Sequence, residues 1–234
     1  MIPLSSSGHP SIKQVQSFDE LLSSPFADGV NALCWPRSLP GDFAEVAEKV
    51  GAEEGIVTLD ETMLQALPLS AEGRNAIKFM LEDLRLLREK DLDPVLNCIH
   101  GYPRDEDGGP VPTDVFSFHV DSAPIEAETW LCTYHGLASE GLLNEEAQRR
   151  VDEPATRAAL LKLFAGSDDE GFVEFLNVNC YDLHYTPLPG ARPYSFGVGN
   201  LWRIAAAYPG SPVPPCIHRA PATLPGQSRL LLIS

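Results

Sequence analysis

The chain is poor in basic residues. Only 17 of its 234 residues are Lys or Arg, against 33 Asp or Glu, which sets a formal net charge of −16 and a pI near 4.6. Such a surface repels phosphate backbones, and nucleic-acid binders carry a basic footprint, so no nucleic-acid partner is expected. Cysteine pairing is missing too. The five cysteines, at positions 34, 98, 132, 180 and 216, are odd in number and never spaced Cys-x-x-Cys, which argues against a disulfide framework and a structural zinc site. No apolar run approaches the roughly twenty residues needed to span a bilayer. The start Met1-Ile2-Pro3-Leu4-Ser5-Ser6-Ser7 lacks the basic end and apolar stretch of a signal peptide. A reduced, cytoplasmic protein with no membrane partner is the expectation. Gly-x-Ser-x-Gly, Walker and His-Glu-x-x-His motifs are all absent, which disfavours the common hydrolase and nucleotide-binding readings.

What is present is ordinary for a globular chain: 44% hydrophobic and 21% charged residues. Ser17-Phe18-Asp19-Glu20 reads as a capping box opening a short helix. A strand follows around Val30–Trp35, then a helix from Asp42 to Val50. Ser70 to about Lys90 is the longest regular segment. Ile77, Met80, Leu81, Leu84 and Leu87 form its apolar stripe, with Glu82, Asp83, Arg85 and Arg88 largely outside it. That stripe is expected to pack on the outside of a sheet. Val95–His100, Val115–Phe118, Thr129–Tyr134, Val173–Val178 and Gly199–Ala206 read as strands. Asn144–Phe164 reads as helix, interrupted at Pro154. The opening residues, rich in Ser, Gly and Pro, are expected to be mobile, and the loop Gly101–Pro110 to be a solvated hairpin tip or a lid.

Two short motifs carry chemistry. In Phe118-His119-Val120-Asp121 the period of two places His119 and Asp121 on one face of a strand. Far downstream, Cys216-Ile217-His218-Arg219 supplies a second histidine at the end of another apolar segment. Two imidazoles and one carboxylate form a facial triad that leaves three positions of an octahedral metal open. Arg229 then begins the final apolar run Arg229-Leu230-Leu231-Leu232-Ile233. A buried carboxylate is costly unless paired, and a guanidinium pairs with it in two-toothed fashion.

This arrangement resembles the Fe(II)/2-oxoglutarate-dependent dioxygenase superfamily over about half the chain, from near Val95 onward. Leu131-Cys132-Thr133-Tyr134, His218-Arg219-Ala220-Pro221 and Arg229-Leu230-Leu231-Leu232 also look like a bacterial domain family of uncharacterised function. The resemblance implies a mainly β fold with flanking helices (α+β), built on a double-stranded β-helix (jelly-roll, cupin-like) barrel. The single domain of residues 1–234 would then comprise an N-terminal extension, 1–94, packed on a barrel core, 95–234, with a helical insertion at about 144–165. It implies Fe(II) held by His119, Asp121 and His218, and 2-oxoglutarate anchored by Arg229. Thr133 and Tyr134 are expected to border the co-substrate, although the strand's phase leaves open whether Tyr134 or the Thr133/His135 pair faces inward.

Members of the superfamily often place a Ser two residues after the anchoring Arg. Here that position is Leu231, so either a hydroxyl partner comes from another strand or the co-substrate pocket is altered. Arg219 is a weaker rival anchor, because it should point away from His218. His100 and His184 read as plain strand or loop histidines, and His135 as a residue within reach of substrate. The implied substrate is a small molecule or a protein side chain. Two other readings stay open: a cupin-like metal oxygenase without 2-oxoglutarate, which retains the three ligands and ignores Arg229, and a non-catalytic jelly-roll binding protein that holds a metal or none.

Overall fold

The computed structural model describes residues 9–51, 54–104, 108–222 and 226–234. The opening stretch and the loop tip at 105–107, for which mobility and solvation were expected, lie outside the described residues. The elements in chain order are β1 (Ile12–Gln14), α1 (Phe18–Ser23), β2 (Ala32–Trp35), α2 (Phe43–Val50), β3 (Ile56–Leu59), α3 (Glu61–Ala66), α4 (Ala71–Arg88), β4 (Val95–Ile99) and β5 (Phe118–His119). They continue with β6 (Glu128–His135), β7 (Glu140–Leu142), β8 (Ala147–Arg149), α5 (Pro154–Phe164), α6 (Glu170–Val178), β9 (His184–Pro187), β10 (Tyr194–Ser195), β11 (Leu201–Ala205), β12 (Ile217–Arg219) and β13 (Arg229–Ile233). Among the described residues, no helix is long and apolar enough to cross a membrane.

The strands form two sheets, ordered β1-β2-β11-β6-β13-β4-β3 and β10-β7-β12-β5-β9-β8. Every pairing is antiparallel except β1 with β2. The sheets face each other across an apolar layer that includes Cys34, Ile99, Leu131, Trp202 and Leu231 from the larger sheet and Tyr194 and Cys216 from the side of the smaller. On its other face the larger sheet is covered by helices: Leu21, Val46, Leu64, Met80, Leu84 and Leu87 pack against Leu96, Cys132 and Leu232. The fold is thus mixed α+β and strand-rich, with the expected α4 stripe seated on the outside of a sheet. Helices α5 and α6 build a small separate core with Val111 and Val151.

Local chemistry accounts for the helix starts. Ser17 accepts the Glu20 amide at 3.1 Å, and the Glu20 carboxylate reaches back to the Gln16 amide at 2.8 Å. Asp42, Asp60, Ser70 and Asp169 cap α2, α3, α4 and α6 in the same manner, each accepting from an amide of the first turn.

Several expectations need correction. Residues 173–178 are the end of α6, not a strand. Phe172 and Leu176, one helical turn apart, are buried, whereas Val178 is 73% exposed, and the Asp169 cap starts the helix ahead of them. Residues 144–152 are not α-helical. They hold two single-turn 3₁₀ segments around β8, which pairs with β9. Pro154 begins α5 at the position where its missing N–H costs nothing. Val115 to Ser117 form a turn, so β5 is only two residues long. Asp83 is buried, held by Arg37 through two contacts at 2.6 and 2.8 Å and accepting the Tyr134 hydroxyl at 2.6 Å. The first ninety-odd residues do more than pack on a core, since they contribute β1, β2 and β3 to the larger sheet itself.

Candidate metal centre

The smaller sheet brings the two motifs together. β5 lies between β12 and β9, with His119 directly opposite His218 on one side and His184 on the other. Phe118 and Val120 pack outward with Leu142 and Ile217, so the alternate residues His119 and Asp121 point inward. Just past β5 the chain leaves this sheet for the larger one. The Ala207 amide donates to the Asp121 carbonyl at 2.7 Å, and Ser122 bridges to Ala207. Asp121 therefore sits at the crossing between the sheets.

The candidate ligand atoms of His119, Asp121 and His218 all lie within 4.8 Å of one another. The two imidazole centroids are 4.6 Å apart, and His218 Nε2 is 3.7 Å from Asp121 Oδ2. Both rings are oriented by their own strands. His119 Nδ1 donates to the Ser117 carbonyl at 2.8 Å, and His218 Nδ1 faces the Cys216 carbonyl at 3.3 Å. A carbonyl only accepts, so each Nδ1 carries the proton and each Nε2 presents a lone pair, which is how metal-bound histidines are commonly held. Thr129 Oγ1 donates to Asp121 Oδ2 at 2.5 Å and fixes that carboxylate. Burial, and next the nearby His218, lower the His119 pKa from its ordinary 6.5, which favours the neutral, ligating form. The Asp121 side chain keeps 36% of its surface exposed, so the group is reachable from solvent.

Arg229 lies on the inner face at the start of β13 and is 4% exposed. Its Nη1 donates to the Tyr102 hydroxyl at 3.0 Å, and its Nη2 donates to Thr133 Oγ1 at 3.0 Å and Ser139 Oγ at 2.7 Å. Among the described residues no carboxylate pairs with it, and its Nε is buried with no acceptor. Burial pushes this guanidinium below its usual pKa. The hydroxyl that Leu231 cannot supply thus comes from Ser139, just ahead of β7. Thr129, which holds Asp121, and Thr133, which meets Arg229, are four residues apart on β6, about 13 Å along a strand. Gly136, at φ +84°, lets the chain after β6 turn against the backbone of Ser228 and Arg229, where a Cβ would collide.

Thr133 stands where a co-substrate residue was expected, but Tyr134 does not. Its ring lies on the helix side of the larger sheet, stacked on Phe43 at 5.6 Å, with its hydroxyl on Asp83. A bulge explains why the phase was open. Leu231 pairs with Thr133 and Leu230 with His135, so β6 carries one extra residue, and both Tyr134 and His135 face outward. His135 lines a cleft with His100, away from the metal residues. Arg219 points outward as expected, paired with Glu140 at 2.6 Å and lying over the Phe118 ring. The buried thiols Cys132 and Cys216 are pushed up to about 12, so neither is an activated nucleophile.

His184, read from the sequence as a plain strand or loop histidine, does lie on a strand. It is buried on β9, its ring 5.7 Å from His119. The only sequence signal for it is the alternation His184-Tyr185-Thr186, which puts His184 and Thr186 on one face of a strand. Comparison with family models, curated proteins and solved structures gives no match to this chain.

Proposed function

We propose that the chain is an Fe(II)- and 2-oxoglutarate-dependent oxygenase on a double-stranded β-helix scaffold, acting on a small molecule or an amino-acid side chain. The observation that carries the reading is Arg229, a buried cation whose hydrogen-bond partners among the described residues are three neutral hydroxyls, on the same side of the larger sheet as a two-histidine, one-carboxylate group. A charge taken out of water without a counter-ion costs several kcal/mol, about as much as good hydrogen bonds return. An anionic ligand resolves that cost. A ligand that joins the two features must carry a metal-chelating end and an anionic end, as 2-oxoglutarate does.

The donor set fits iron. Two neutral imidazoles and a carboxylate on one face, with remaining positions open, suit a non-heme Fe(II) centre, and the strand carbonyls hold both imidazoles in the ligating tautomer. Iron with 2-oxoglutarate and O2 would supply hydroxylation of an unactivated C–H bond, one oxygen atom going to the substrate and the other to the succinate left when the keto acid loses CO2. In this scheme His119, Asp121 and His218 bind the metal, and Thr129 keeps the Asp121 carboxylate turned inward. Arg229, steadied by Tyr102, Thr133 and Ser139, binds the far carboxylate.

The test is anaerobic addition of Fe(II) and then 2-oxoglutarate, watching for the visible metal-to-ligand charge-transfer band. A band that His119→Ala abolishes and Arg229→Met weakens supports the assignment. Bound iron without a band points to a metal oxygenase that uses no keto acid, and no bound iron points to a binding scaffold.

A further inference from the structure

The inner face of β5 and β9 beside the metal residues is polar where a strand sandwich is usually apolar. His184 is 4% exposed and lies directly opposite His119. Ser117, 8% exposed, precedes His119 by two residues, and Thr186 follows His184 by two. Ser117 closes the turn that enters β5, next to Phe118, and Phe118 pairs with Tyr185, the neighbour of Thr186 on β9. Ser117 Oγ and Thr186 Oγ1 are both buried and, among the described residues, have no hydrogen-bond partner. Buried hydroxyls in folded proteins are nearly always bonded, so two orphans, one at the entry to β5 and one on β9, call for a missing partner. His184 stands outside the group of mutually close metal-binding atoms, which makes it a neighbour of the metal rather than a fourth ligand.

We propose that Ser117, His184 and Thr186 form the subsite that holds an uncharged polar group of the substrate, an amide or a hydroxyl, next to the metal centre. This rests on the metal-centre reading above. Two hydroxyls both donate and accept, and none of the three residues carries a fixed charge, so the chemistry matches a group that does both. An anionic group is drawn instead to Arg229, the buried cation of the interior. The subsite therefore separates the two ligands by charge: the anionic co-substrate goes to Arg229 and the neutral polar end of the substrate to β5 and β9.

The experiment uses the ¹⁵N-labelled full chain, titrated with propionamide, propionate and propylammonium, without metal and with Zn(II). Propionamide should saturably shift the backbone signals of Ser117, His184 and Thr186, with at least tenfold tighter binding than propylammonium. The double variant Ser117→Ala/Thr186→Val should weaken propionamide at least tenfold while the remaining spectrum is unchanged. Propionate should act at Thr133, Ser139 and Arg229. Equal binding of amide and ammonium, or an undiminished response in the double variant, overturns the subsite and leaves a pair of water-satisfied hydroxyls. The wild-type ranking decides the matter even where the double variant does not fold. Zn(II) is read separately, on the imidazole signals of His119 and His218. Their failure to respond overturns the metal reading, and with it the subsite's role, whatever propionamide does.

Discussion

Replacing Arg229 by Met separates a structural arginine from one kept for a ligand. The side chain is buried, makes three hydrogen bonds to hydroxyls and has no carboxylate partner among the described residues. Hydrogen bonds from a charged group contribute about 1.5–3 kcal/mol each. An uncompensated buried charge costs several kcal/mol, so the two nearly offset. Without ligand, Arg229→Met should therefore shift the unfolding free energy by less than about 2 kcal/mol in either direction, measured by urea titration. The contrast comes on adding 2-oxoglutarate to zinc-loaded protein. At a hundred times Kd a ligand stabilises by about 2.7 kcal/mol. At about 2–4 °C per kcal/mol for a chain of this size, the wild-type Tm should rise by about 5–11 °C. If the substitution weakens Kd a hundredfold, the same concentration leaves about 0.4 kcal/mol and a rise of about 1–2 °C. The assay is a thermal melt with and without the keto acid. A full shift retained by Arg229→Met would refute the anchoring role, and a ligand-free loss above about 4 kcal/mol would make Arg229 a structural strut.

Other substitutions follow from the same geometry. His119→Ala should lose stoichiometric Fe(II) or Zn(II) while keeping its far-ultraviolet circular dichroism; metal retained at one equivalent contradicts the ligand assignment. Asp83→Ala strands the buried Arg37 guanidinium and should cost about 3–5 kcal/mol in urea unfolding. Tyr134→Phe removes one hydrogen bond to Asp83, at about 1.5–3 kcal/mol, and should leave metal and keto-acid binding unchanged, because its ring lies on the helix side. The pH dependence has a definite sign. His119 has a folded pKa below its ordinary 6.5, so between the two values the unfolded chain binds more protons and stability falls as pH drops through 6.5. Metal-free His119→Phe should lose that part of the acid sensitivity; His135, also lowered by burial, contributes with the same sign and stays in both proteins. An unchanged pH slope in the variant would contradict the burial argument.

The sequence was most legible where one rule acted alone. Strict alternation put His119 and Asp121 on one face, and Asp42 and Ser70 announced their helices by their own side chains. Arg229 was singled out through the resemblance and not by its position, which suits an ordinary strand-edge charge equally well; the structure buries it at the start of β13. What stayed hidden depends on partners distant in the chain. The phase of β6 turns on a bulge created by its pairing with β13, which no local pattern encodes. Asp83 looked like a solvated residue beside the α4 stripe, and only Arg37 and Tyr134, from β2's exit and β6, make its burial tolerable. Residues 173–178 carried enough apolar alternation for a strand, but the one-turn spacing of Phe172 and Leu176 against a neighbouring helix prevailed. His184 owes its place beside His119 to cross-strand register alone.

The order of the larger sheet bears on how the protein is born. β13 is the latest of its strands in chain order, yet it lies in the middle, hydrogen-bonded to β6 on one side and β4 on the other. Until that segment is available, the earlier strands can only form two separate pieces with a gap one strand wide. Each piece has an unsatisfied edge open to pairing with another chain. Long-range closure of this sort slows folding and lengthens the exposure of those edges. Arg229 opens the strand that fills the gap, so the step that closes the sheet also installs the buried guanidinium. An incompletely folded chain therefore lacks the buried guanidinium and the cluster of hydroxyls it gathers from Tyr102, Thr133 and Ser139.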